Sequence, residues 1–103
     1  MKKYALVFTP EAIQEIRQAT EWYNEQQNGL GNRFKTQLKK ELDKLKRNPF
    51  SHSVRYDDVR FAVPDLFPYA AHYTIDEDSH AIIIQAVLAF LQDPELNWKK
   101  RKP

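Results

Sequence analysis

The chain has no cysteine, two glycines and no hydrophobic run long enough to cross a membrane. Without cysteine it can form neither a disulfide framework nor a cysteine-ligated metal site. Few glycines and no low-complexity segment argue against a long linker or a disordered chain. The first apolar run is about five residues and ends at Thr9-Pro10, too short for the hydrophobic region of a signal peptide. We therefore expect one domain spanning residues 1–103, and a cytoplasmic protein without membrane association.

Charge is nearly balanced overall but is unevenly distributed along the chain. The formal net charge is +2, which neither indicates nor excludes a nucleic-acid partner. Residues 33–47 contain seven Lys or Arg against two acidic residues, and the last five residues contain four Lys or Arg and no acidic residue. Each cluster could face an anionic partner, or could be a solvated helix face and a soluble tail. The sequence leaves both interpretations open.

The first part of the chain predicts a strand and a helix. Residues Lys2–Phe8 alternate as a short strand does. Thr9 can cap a helix that has Pro10 at its first position, where a missing N–H does no harm. The apolar spacing extends this helix to about Gln27, and Gly29 then interrupts it.

A second helix and two short strands come next. The helix begins near Leu30 and ends at Asn48-Pro49, with its apolar residues on one side and nearly all its Lys and Arg on the other. Val54–Tyr56 and Val59–Val63 read as strands, joined by a turn at Asp57-Asp58. Turns this short force neighbouring strands to run antiparallel.

The most apolar segment is a hairpin over residues 67–90. From Phe67 to Ile75 the odd-numbered residues are apolar and share one face, whereas His72 lies on the other. The second strand, Ala81–Phe90, is apolar almost throughout, as in a strand covered on both faces.

Together these segments predict an α+β fold in the order β-α-α-β-β-β-β. It comprises an N-terminal strand, an antiparallel helical hairpin, a curved and mainly antiparallel sheet, and a short basic C-terminal tail. The two helices should lie on one face of the sheet, leaving the other face free for function.

Several short motifs occur in sequence order: Asn48-Pro49, Val59-Arg60, Phe67-Pro68-Tyr69, Tyr73-Thr74-Ile75, Ala86-Val87, Asp93-Pro94 and Trp98 to Arg101. Their order and spacing resemble the ParE/RelE superfamily of bacterial type II toxins over essentially the whole chain. The resemblance implies a small toxin encoded beside an antitoxin that wraps around it and silences it. In this superfamily, ParE-like members poison DNA gyrase, and RelE-like members cut messenger RNA in the ribosomal A site.

RNA cleavage without a metal needs a base, an acid and cations around the phosphate. The resemblance implies that a RelE-like nuclease carries such groups after the tyrosine motif, after the second hairpin strand and near the C-terminus. At the first place this chain has Ala70 and Ala71; at the second, Ala89 and Gln92 stand where many relatives have His and Arg. Alanine transfers no proton, and loss of one oriented charge typically costs ~10²-fold in rate. These residues argue against a standard RelE-like nuclease.

Two residues remain as candidates for catalysis. Arg60, on a central strand, could contact a phosphate or a partner, or could pair with a neighbouring acid. His72 could act as a general base, or could be a partly buried histidine bonded to its neighbours. The candidates for binding the target or the antitoxin are Arg55, Arg60, Trp98, Lys99, Lys100 and Arg101. Trp98 could equally be an anchor that holds the tail on the sheet.

No metal or cofactor is expected, because the three His are far apart in sequence and there is no Gly-rich phosphate loop. The sequence therefore predicts a ParE-like toxin that binds a protein target, DNA gyrase, and is neutralised by a cognate antitoxin. Whether it is an enzyme stays open, since a ribosome-dependent messenger RNA endoribonuclease is one alternative. A non-toxic interaction module is another.

Overall fold

The computed structural model describes residues 3–89. Its elements are β1 (Ala5–Phe8), α1 (Pro10–Gln26), α2 (Leu30–Leu45), a 3-10 turn (Pro49–Ser51), β2 (Val54–Tyr56), β3 (Val59–Ala62), β4 (Tyr69–Asp76) and β5 (Ala81–Ala89). The predicted order of strands and helices is confirmed. The strand boundaries shift slightly, since β1 begins at Ala5 rather than Lys2 and β4 begins at Tyr69 rather than Phe67.

The five strands form one sheet in the order β1-β5-β4-β3-β2. Neighbouring strands are antiparallel except β1 and β5, which run parallel with Phe8 opposite Ile84. The parallel pair arises because the helical hairpin carries the chain from β1 across the sheet before the meander β2 to β5 begins. The sheet is therefore mainly antiparallel, as predicted.

Both helices pack on the same side of the sheet, which we call the helix face. Their apolar ridges join alternate residues of β4 and β5 in a single core. The largest buried side chains on this face are Phe34, Leu45, Tyr73, Ile82 and Ile84. Within residues 3–89, neither helix combines the length and the apolar character needed to span a bilayer.

A β-bulge in β5 changes which residues face the helices. His72 pairs with Ala86, but Tyr73 pairs with Ile84, so Gln85 is the extra residue of β5 in this register. Before the bulge the even-numbered Ile84 faces the core, and after it the odd-numbered Val87 does. The bulge therefore allows an almost continuously apolar strand to keep its largest side chains inside.

Beyond the end of β1, side chains at the start of α1 form the hydrogen bonds to the β5 backbone that a longer β1 would have formed. The Thr9 hydroxyl donates to the Gln85 carbonyl oxygen at 3.1 Å, and a Glu15 carboxylate oxygen accepts the Val87 N–H at 2.8 Å. These bonds satisfy backbone groups of β5 that would otherwise form an unpaired edge.

The turn between the helices depends on two glycines. Gly29 adopts φ of 87° as the N-cap of α2, whereas α1 ends at Gln26 and is followed by an extended Gln27. Gly31 lies where the helices approach most closely, and its N–H donates to the Asn24 side chain at 2.7 Å. A Cβ at Gly31 would overlap the Thr20 carbonyl oxygen and the Asn24 side chain.

Candidate functional site

The face of the sheet opposite the helices, called the far face, carries a compact aromatic cluster. His72 on β4 lies beside Phe61 on β3, with ring centroids 4.1 Å apart. Tyr56 on β2 completes the cluster, and its hydroxyl shares a 3.1 Å hydrogen bond with His72 Nδ1. Ala70 packs in the same cluster. This is the place where the sequence predicted a free working surface.

The middle of the far face is, however, buried. His72 is 2% exposed and Phe61 is 3% exposed, and Ala70 has only 1% of its surface exposed. The expectation of a bare face is therefore wrong for this part of the sheet. The buried imidazole has its Nδ1 bonded to Tyr56 and its ring against Phe61, which agrees with the alternative of a histidine bonded to its neighbours.

A second β-bulge brings Arg55 to this cluster. Val54 pairs with Arg60 and Tyr56 pairs with Val59, so Arg55 is the extra residue of β2. Its guanidinium carbon lies 4.8 Å from the centre of the Phe61 ring, a cation–π contact at the margin of the far face. Arg55 is exposed, so a positive charge stands at the edge of a buried aromatic cluster.

Arg60 lies on the opposite face from His72. It pairs with Tyr73, whereas the next residue, Phe61, pairs with His72. Because successive residues of a strand point to opposite faces, the two catalytic candidates do not converge. The Arg60 guanidinium donates to the carbonyl oxygens of Phe50 and His52 and lies over the Phe50 ring. Within residues 3–89 it forms no ion pair with an acid.

The other predicted positions divide between the described residues and the rest of the chain. Ala89 is the last residue of β5 and pairs with Tyr69. Gln92 and the binding candidates Trp98, Lys99, Lys100 and Arg101 lie outside the described residues. Among residues 3–89 no group of three His, Asp or Glu side chains is arranged to hold a metal ion.

A groove runs along the helix face between β1 and α2. Its cavity volume is about 580 Å³. Apolar side chains form its floor: Leu6, Phe8, Ile16, Leu38 and Leu42. Lys35, Lys39 and Lys46 line it as well, together with Asp43, which bridges the last two lysines at 2.9 and 3.3 Å. Among residues 3–89, β1 is the terminal strand of the sheet, so one side of the groove is a sheet edge.

Sequence reasoning missed the role of Tyr56 and the residues that line the groove. The Tyr56–His72 bond depends on the β2 bulge, for which the residues Val54–Tyr56 carry no recognisable signal. The lining of the groove depends on how α2 packs beside β1, which the residue pattern does not give.

The family model for the ParE toxin of the type II toxin–antitoxin system parDE matches residues 6–93. The chain belongs to this ParE toxin family. It is accordingly a toxin of the type II class, which confirms the resemblance found in its motifs. A search of curated proteins finds no match.

Solved structures share the fold of this ParE-family chain at low sequence identity. A chain of the chromosomal ParDE TA system from P. aeruginosa is 13% identical, with a TM-score of 0.72, over 84% of this chain and 96% of that one. A chain of the intact E. coli RelBE toxin–antitoxin complex is 21% identical, with a TM-score of 0.69, over 86% and 99%. The isolated E. coli RelE toxin is 19% identical, with a TM-score of 0.67, over 95% and 96%.

Proposed function

We propose that this ParE-family toxin acts by binding a protein target, DNA gyrase, rather than by cleaving RNA. The observation that carries the proposal is the separation of its proton-handling and cationic candidates. His72 is buried on the far face, whereas Arg60 lies on the helix face and donates hydrogen bonds to backbone carbonyl oxygens. General acid–base chemistry on a phosphate needs such groups within hydrogen-bond reach of one substrate. Ala70, beside His72, contributes no functional group.

Two measurements test the target. Expression without the antitoxin should arrest growth and cause DNA damage, and the purified toxin should inhibit supercoiling by purified gyrase at micromolar concentration. Supercoiling that continues at its normal rate would contradict gyrase as the target. The matched control is the same toxin preparation bound to its antitoxin, which should leave gyrase active.

The cognate antitoxin is the second partner in this proposal. The groove between β1 and α2 suits an amphipathic segment, because it combines an apolar floor with lysines along α2 and a free strand edge. A strand or helix can use such a surface, with backbone pairing or side-chain anchors respectively. Acidic residues on that segment would complement Lys35 and Lys39. Solved relatives of this fold come from ParDE and RelBE toxin–antitoxin systems.

Ribosome-dependent cleavage of messenger RNA is the second candidate function. The observation in its favour is the far-face cluster, where an exposed Arg55 stands near the Tyr56–His72 pair. Primer extension on messenger RNA after induction tests it. Discrete cuts in the ribosomal A site that disappear in both Arg55→Ala and Tyr56→Phe would establish an endoribonuclease and displace gyrase as the target.

A further inference from the structure

The turn between β3 and β4 holds a leucine in an unfavourable backbone conformation. Leu66 has φ of 73°, in the left-handed region, and its side chain is 75% exposed. The left-handed conformation is unfavourable for a residue with a side chain, because the Cβ comes too close to the following carbonyl oxygen. An exposed leucine also gains none of the stabilisation that burial would bring.

Leu66 differs in this respect from the other residues with positive φ. Asp57 and His80 also adopt positive φ at turns, but Asp and His are enriched in this region. A turn position with φ near +80° normally carries Gly or Asn. A large apolar side chain at such a position is an outlier, and outliers of this kind point to function.

The turn is anchored on both sides of Leu66. Pro64 is buried. Phe67 is 6% exposed and packs edge-to-face against Tyr23 and Phe34, with ring centroids 5.0 and 5.4 Å apart. The Phe67 carbonyl oxygen also accepts the Tyr69 N–H at 2.9 Å. These anchors fix the backbone on each side, so the leucine side chain is held outward in one place.

We propose that Leu66 is the apolar anchor with which this toxin docks into a pocket on its protein target. Exposed Val63 and Asp65 lie within three residues of it and form the rim. A turn whose backbone is already fixed by its neighbours loses little conformational freedom on binding, which favours affinity. The inference rests on the proposed function, since it takes the partner to be a protein.

The position of the turn favours the target over the antitoxin as its partner. The groove proposed for the antitoxin is lined by Lys35, Lys39 and Lys46 of α2. The groove lies beside β1, whereas the turn joins β3 and β4, which β5 separates from β1 in the sheet. The turn and the groove therefore lie at different places on the molecule, and both partners could be recognised independently.

Three variants of the full chain test the proposal. Leu66→Gly and Leu66→Asn remove the apolar side chain and fit the left-handed backbone, so the melting temperature should be unchanged or raised by up to about 5 °C. Leu66→Met keeps an apolar side chain of similar reach. The control is Ile13→Gln, which removes an apolar side chain of 47% exposure from the middle of an exposed helix face.

Growth arrest on induction and binding to purified gyrase are the readouts, with antitoxin co-purification measured in parallel. Leu66→Gly and Leu66→Asn should require about tenfold more toxin for arrest, whereas Leu66→Met and Ile13→Gln should behave as the parent chain. Antitoxin co-purification should be the same for all of them.

Several results would overturn the proposal. One is full growth arrest by Leu66→Gly; another is loss of antitoxin co-purification in that variant, which would assign the turn to the antitoxin. A concentration-dependent dimer that Leu66→Gly dissociates would assign it to a second copy, and a parent chain that arrests no growth would leave no target for it. Failure of the gyrase proposal alone has a different signature: growth arrest that depends on Leu66 while supercoiling is untouched.

Discussion

Tyr73 connects the centre of the sheet to the segment that follows α2. Its side chain is fully buried, and its hydroxyl donates to the Pro49 carbonyl oxygen at 2.8 Å. Burial raises the pKa of this hydroxyl to about 12 from its ordinary value of 10.0, against a smaller opposing effect of the Arg60 charge. Tyr73 therefore contributes a buried hydrogen bond and also makes the stability of the fold depend on pH.

The raised pKa predicts how stability changes at alkaline pH. Below pH 10 the hydroxyl is protonated in both the folded and the unfolded chain, and its contribution is fully present. Between pH 10 and about 12 the unfolded chain releases the proton while the folded chain keeps it, so stability falls as pH rises. Burial also raises the pKa of Tyr23 and Tyr69, which acts in the same direction.

Tyr73→Phe should change both properties. At neutral pH the free energy of unfolding should fall by about 1–2 kcal/mol, because the buried Pro49 carbonyl oxygen loses its donor. Above pH 10 the variant should lose stability less steeply than the parent chain. Urea denaturation between pH 7 and 11 measures both effects, and identical slopes in the two proteins above pH 10 would contradict the assignment to Tyr73.

At the scale of elements, the β5 bulge determines which side chains of this strand face the helices and which face away from them. Deleting Gln85 would remove the extra residue, so Ala86 would follow Ile84 directly and Val87 would stay on the core face, two residues after Ile84. The strand would then alternate regularly while keeping its register against β4.

We therefore expect the Gln85 deletion to fold cooperatively but with a lower melting temperature, because it removes the carbonyl oxygen that accepts from Thr9 and shifts the Val87 N–H that donates to Glu15. The matched variant Gln85→Ala keeps the residue count and loses only polar contacts, including the 3.2 Å bond to the Thr74 hydroxyl. It should cost no more than about 1 kcal/mol. Circular dichroism and thermal melts of the two variants measure both effects, and loss of a cooperative melt in the deletion variant would show that β5 cannot keep its pattern without the bulge.

The same bulges explain which parts of the structure could be predicted from the sequence. The start of α1 followed from Thr9 and Pro10, because capping chemistry acts locally. Gly29 correctly marked the turn between the helices, but it caps the start of α2 and not the end of α1. The alternation of apolar residues along β4 correctly placed His72 on the face of the sheet opposite the helices. The bulges at Arg55 and Gln85 could not be predicted, because each depends on pairing between strands rather than on its own residues. The opposite orientation of Arg60 and His72 required the register of β3 against β4, which residue patterns do not supply.

At the scale of the whole molecule, charge and apolar surface divide the chain into regions suited to different partners. Most of the positive charge of residues 33–47 lies on α2, whose apolar ridge faces the core. Lys35 and Lys39 line the groove beside β1, whereas Arg33 and Lys40 are exposed and do not line it. This distribution permits a direct test of the groove as the antitoxin site, because charges can be reversed inside and outside it on one helix.

The double variant Lys35→Glu/Lys39→Glu should weaken binding of the antitoxin about tenfold or more, because acidic side chains of the partner would then meet like charges. The control Arg33→Glu/Lys40→Glu makes the same change of net charge on the same helix and should leave affinity nearly unchanged. Titration of purified toxin with antitoxin at low and high salt measures both. Only the parent chain and the control should show affinity that falls with salt, since screening weakens attraction between exposed charges. Equal loss in both double variants would mean that the antitoxin senses the net charge of the toxin rather than this groove.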